Sequence, residues 1–254
     1  MESLIDLLVN LNWAAVGQII MIDVLLGGDN AVVIAMACRN LPHEQRSKGI
    51  FWGTLGAITL RVILITFAVM LLDLPFLKVA GACLLLWIGA KLLLPDDNDE
   101  HSVAGSQKLL GAIRTIIMAD FAMSFDNVIA IAGAAQQAHE AHQTLLVIFG
   151  LLVSVPFIVF GSTVILKLLD RFPIIVWFGA GMLGWIAGGM ITSDNYVTTH
   201  WPELAFTLHY PVSIACAALV LVIGYFWSKA KMKAIMAKQK SKKIQGDAAG
   251  KSGS

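Results

Sequence analysis

Charge is scarce in this sequence. Lys, Arg, Asp and Glu make up 14% of the residues, where a soluble domain devotes about a quarter, so a chain wetted over its whole surface is excluded. Cysteine is scarcer still. Cys38, Cys83 and Cys216 stand alone with no C-x-x-C spacing, which leaves neither a disulfide framework nor a zinc site, and they read as small core residues. No Ser or Cys nucleophile is paired with a nearby His, so an enzyme is not expected. What is abundant instead is apolar surface: 57% of the residues are hydrophobic and the mean hydropathy is +0.76.

That surplus is gathered in long runs. A membrane-spanning helix needs roughly 20 mainly apolar residues, and seven stretches qualify, at about 13–38, 50–72, 75–94, 111–135, 143–168, 172–192 and 210–228. The runs are continuous, not alternating, which selects helices over the short two-faced strands of a membrane barrel. The expected fold is all-α, a polytopic transmembrane helical bundle with seven spans. The first run is too long and too polar for a signal peptide, and no small-residue cleavage site follows it.

Positive charge is distributed by side. Arg39, Arg46 and Lys48 fill the 38–50 loop, Lys167 and Arg171 flank the fifth turn, and eight lysines lie between Lys229 and Lys251. Residues 1–12, 136–142 and 193–210 contain no Lys or Arg. The positive-inside rule then puts the N-terminus outside and the C-terminus in the cytoplasm. Residues 1–228 read as a single transmembrane domain. Residues 229–254 read as a Lys-rich cytoplasmic tail, either meeting anionic lipid heads or solvated and unstructured.

The chain contains itself twice. Residues 19–35, IIMIDVLLGGDNAVVIA, match residues 116–132, IIMADFAMSFDNVIAIA, at an offset of 97. The match continues from Phe51 against Ile148, and at an offset of 98 from Leu74 against Phe172. Two three-helix repeats follow, about 13–94 and 111–192, with an extra helix at about 210–228. Three spans is an odd number, so the second copy must enter the membrane from the other side. Inverted repeats of this kind belong to secondary transporters with a midplane site.

The polar residues of that motif are the candidate site. A carboxylate at the centre of a membrane helix costs about 3 kcal/mol on insertion scales, yet Asp23, Asp29, Asp120 and Asp126 all lie in the first helices of the repeats. Each could be protonated, cap a broken helix or pair with Arg61 or Arg114, but four at duplicated positions favour a functional site. Positions seven apart share a helix face, which joins Asp23 to Asn30 and Asp120 to Asn127. Positions six apart do not, and Gly27-Gly28 answers this in the first copy by inviting an unwound turn that swings Asp29 inward. Ser124-Phe125 in the second copy invites a break less strongly.

Two facing Asp-Asp-Asn sets make an all-oxygen site suited to Mn²⁺, Ca²⁺ or Mg²⁺. No His or Cys lies in the motifs, against a dedicated Zn²⁺ or Cu⁺ site. Met21 and Met118, each two residues before the first Asp, are either packing or soft accessory ligands that tilt the choice toward Mn²⁺. Four carboxylates around one divalent ion leave two negative charges over, and crowded like charges hold protons. Metal/proton exchange is therefore expected, with membrane lipids as partners, no prosthetic group and no nucleic acid. A homo-oligomer is compatible with this reading.

The doubled GGDN and SFDN at the heads of two three-helix repeats resemble the TerC family of integral membrane proteins, over nearly the whole chain to about residue 228. The resemblance implies Mn²⁺ export from the bacterial cytoplasm, an association with tellurium resistance, a relation to the LysE group of exporters, and Asp23, Asp29, Asn30, Asp120, Asp126 and Asn127 as the metal-binding set. Two other readings compete. One is an exporter of another small cationic solute, against which no aromatic cage stands near the motifs. The other is a non-transporting scaffold for metalloprotein loading, against which the loops are short.

Overall fold

The computed structural model of the chain describes residues 13–67, 74–95, 105–135 and 143–251. All regular structure among them is helical: α1 (Trp13–Leu26), α2 (Gly28–Cys38), α3 (His43–Thr66), α4 (Leu77–Leu92), α5 (Gly105–Ala135), α6 (Gln143–Arg171), α7 (Ile174–Thr192), α8 (Asn195–His200) and α9 (Pro202–Lys251). Helices satisfy every backbone group within the segment, which apolar surroundings require.

Among the described residues four helices are long and apolar enough to cross a membrane, or five when the bent pair α1–α2 is taken as one span. Helix α4 has only 16 residues, a length of about 24 Å, and the side chains of Asp126 and of residues 128–135 in α5 lie outside the described residues. Helix α9 runs unbroken to Lys251, because the Ala, Lys, Met and Gln that dominate beyond residue 228 are strong helix formers.

Two contacts relate the halves of the chain. A Cβ on Gly53 of α3 would lie 2.4 Å from Ile116 of α5, and one on Gly150 of α6 would lie 2.6 Å from Ile19 of α1. Each contact is the other displaced by 97 residues. The third helices continue the pattern: a Cβ on Gly81 of α4 would lie 3.4 Å from the Ala122 carbonyl of α5, and one on Gly179 of α7 would lie 3.0 Å from Val32 of α2. Small residues of each half thus admit the first helix of the other half, the close approach on which membrane helices rely.

The connecting segments sort to two ends. At one end Arg46 donates to both carboxylate oxygens of Asp170, at 2.5 and 3.2 Å, and to the carbonyls of Leu41 and Arg39. Lys231 donates to the Pro95 carbonyl at 2.8 Å. At the other end the Asp194 carboxylate, 1% exposed, accepts from the backbone N–H groups of Phe76, Lys78 and Tyr196 at 3.0–3.1 Å. Phe76 holds a left-handed φ of 62°, which costs a non-glycine residue about 1–2 kcal/mol, and the Asp194 clamp stabilises it. Asp194→Ala leaves these donors without their acceptor and is expected to lower stability by about 1–3 kcal/mol, measured by thermal unfolding in detergent. Asp194→Asn keeps one acceptor oxygen and recovers part of the loss; an alanine variant as stable as the native chain would refute the clamp.

Candidate functional site

The site forms where α1, α3, α5 and α6 cross. Helix α3 buries Gly49, Gly53, Thr54, Ala57, Ile58, Arg61 and Leu64, a stripe at three- and four-residue spacing. Its small members bring the α3 backbone against α5, so that Arg61 spans the gap between repeats. Arg61 is 1% exposed. Its Nη1 donates to Oδ1 of Asp23 and its Nη2 donates to Oδ1 of Asp120. The equivalent aspartates of the two copies are therefore joined through one guanidinium.

Each carboxylate has a second support. The Ser154 hydroxyl donates to Oδ2 of Asp23, with the Leu151 carbonyl at 2.8 Å as its alternative acceptor. The Ser124 hydroxyl, one turn beyond Asp120, donates to Oδ2 of Asp120 at 3.1 Å. Asp23 and Asp120 are 1% and 5% exposed. With both ionised, Arg61 leaves the cluster at a formal charge of −1.

Arg61, Asp23, Asp120, Ser124 and Ser154 are all buried, at 0–5% exposure, so the polar centre is closed to solvent.

The chain bends by 51° between Val16–Leu25 and Gly28–Cys38, the break expected at Gly27-Gly28. Gly27 is the pivot, since a Cβ there would lie 2.4 Å from the Asp23 carbonyl. The bend leaves Asp29 half-buried in the first turn of α2, its Oδ1 accepting from the Asn30 N–H at 2.8 Å. A carboxylate in a first helical turn is favoured by the helix dipole. Asn30 is 4% exposed, and neither its amide nitrogen nor its amide oxygen has a partner. In the second copy α5 passes Ser124-Phe125 without a break, and Asn127 is buried.

The expected set is thus only partly assembled. Asp23 and Asp120 meet, with Ser124 as accessory and Arg61 as charge partner. Asp126 lies on α5, but its side chain is outside the described residues. Arg114 is exposed and is not at the cluster. Met21 and Met118 are 58% and 41% exposed and turn away from it, because two residues along a helix is a rotation of about 200°. Gly28 is exposed, with nothing within 4 Å of a Cβ placed on it. Among the described residues no three His, Cys, Asp or Glu side chains are gathered to hold a metal ion. Sequence reasoning missed Ser154, whose signal was a lone hydroxyl two residues before Pro156 in an apolar run, and Thr54, which is buried with its hydroxyl unpartnered.

The chain has relatives among known membrane proteins. The chain is 40% identical over 211 residues to the membrane protein YjbE of Bacillus subtilis, covering 83% of this chain and 94% of that protein. It is 25% identical over 224 residues to the membrane protein YceF of the same organism, covering 84% and 82%. It is 20% identical over 225 residues to the inner membrane protein YgdQ of Escherichia coli, covering 82% and 92%. No solved structure matches it. The TerC family matches residues 9–232, taking in both aspartate motifs and every helix of the site, and this chain belongs to that family of integral membrane proteins.

Proposed function

We propose that the protein is a secondary transporter that exports divalent cations, Mn²⁺ foremost, in exchange for protons. The observation that carries this reading is the meeting of Asp23 and Asp120, equivalent residues of two repeated segments, around one sealed positive charge. Acidic side chains within membrane helices mark ion pathways, and carboxylate with amide oxygen suits Mn²⁺, Mg²⁺ and Ca²⁺. The unpartnered Asn30 amide adds an oxygen donor close in sequence to Asp29. Transport requires the buried centre to open to one side of the membrane at a time, which the 51° bend at Gly27 and rocking of one repeat against the other would provide. Export as the direction, and the cytoplasmic placement of the Lys-rich end, follow from the family resemblance and the positive-inside rule.

One observation favours a second reading. The two aspartates already hold a guanidinium, so an arginine- or lysine-like solute would find suitable chemistry there.

The test is Mn²⁺ flux in proteoliposomes with and without a pH gradient, comparing the native chain with Asp120→Asn. Gradient-driven flux that falls at least 100-fold in the variant supports the exchanger. If arginine moves and Mn²⁺, Ca²⁺ and Mg²⁺ do not, the solute reading replaces it.

A further inference from the structure

We propose that Arg61 is a tethered stand-in for the transported ion: its guanidinium occupies the place between Asp23 and Asp120 that a divalent cation takes during transport, and the two compete for it. The inference rests on the metal-transport reading above.

The geometry has the features such a competition needs. Arg61 gives one terminal nitrogen to one oxygen of each carboxylate, so both aspartates converge on a single cationic group. The remaining oxygens are held by Ser154 and Ser124, which keep the carboxylates in place when the guanidinium leaves. One of the five donors of Arg61 is unused, since its Nε is buried without a partner. The role also has no duplicate, because the position 97 residues on is Ile158. One side chain therefore serves both aspartates.

Spare polar atoms lie nearby for the exchange. Helix α3 runs antiparallel to α1–α2, touching Asp23 through Arg61 at one level and Cys38 through Gly49 at another. Asn30 and Thr54 fall between these two levels, and the Asn30 amide and Thr54 hydroxyl are both buried and unpartnered. Asp29 begins α2 just past the Gly27 bend, half-buried and in no ion pair in the described structure, and it is the acidic group to which the displaced guanidinium turns. A divalent ion on Asp23 and Asp120 with Arg61 moved toward Asp29 keeps every charge compensated. After release, Arg61 returns, and the empty carrier reorients without two bare carboxylates in its sealed centre.

The experiment measures Mn²⁺ binding to purified protein by the electron paramagnetic resonance of the free ion, for the native chain, Arg61→Gln and Arg61→Lys. Arg61→Gln is expected to bind at least tenfold tighter. In proteoliposomes it should retain Mn²⁺/Mn²⁺ exchange while losing net flux, a split that a merely structural arginine would not produce. Lysine, a hydrated point charge without the planar fork that gives one nitrogen to each carboxylate, should show a smaller gain, and it carries the test if the glutamine variant fails to fold. Native or weaker affinity in the folded variants overturns the competition while leaving metal transport intact. No Mn²⁺ binding by folded native protein or by either variant overturns both.

Discussion

Arg61→Ala, purified without divalent ions, is expected to lose about 3–5 kcal/mol of stability, the cost of removing one partner from a buried ion pair. The loss should lie at the upper end, because one guanidinium serves two carboxylates and the site is sealed. Asp23 at 1% and Asp120 at 5% exposure have no water to replace it, and the Ser154 and Ser124 hydroxyls supply hydrogen bonds but no charge. Thermal unfolding in detergent measures the effect. The triple variant that adds Asp23→Asn and Asp120→Asn should recover most of the loss, since it removes the uncompensated charges together with the arginine. Equal stability of Arg61→Ala and the native chain would show that the bridge contributes nothing to folding.

Gly188→Leu is expected to be about as damaging, for a steric reason. A Cβ at this position of α7 would lie 2.4 Å from Cα and 2.7 Å from N of Ser213 on α9. The obstacle is backbone, so no rotamer change relieves it, and the two helices must separate along their contact. Gly184 faces the same helix in the same way, with a Cβ 2.7 Å from Cα of Ala217. Overpacking commonly costs 1–3 kcal/mol, and with a whole helix interface displaced the expectation is about 3 kcal/mol or more. Gly28→Ala is the control. Nothing lies within 4 Å of its Cβ, so its unfolding temperature should change little, and equal losses in the two variants would mean that helix approach at Gly188 is not the cause.

Much of the site is legible in the amino-acid sequence. The doubled aspartates stand out because charge is rare in so apolar a chain, and Gly27-Gly28 marks the bend because glycine favours helix least among residues that retain an N–H. The paired methionines mislead, although helical rotation alone places Met21 and Met118 away from Asp23 and Asp120. The break itself is less predictable in the second copy. Helix α5 passes Ser124-Phe125 intact because Ser124 turns its hydroxyl onto Asp120 one turn back and provides no backbone freedom of the kind that glycine does.

Composition and period determined by themselves that the protein is a helical membrane protein with a duplicated acidic motif, since these depend on local preference and on the transfer of side chains out of water. Which arginine answers the aspartates was decided only by tertiary structure. Arg61 and Arg114 are equivalent as sequence, each a lone cation in an apolar stretch. Arg61 shares its helix face with Gly49, Gly53 and Ala57, which admit α5 and turn the side chain inward, while Arg114 is exposed. The same holds for Ser154, which reaches Asp23 across 131 residues of chain. Burial of a charge is a property of the neighbours that surround it, and those neighbours come from four helices that only the fold brings together.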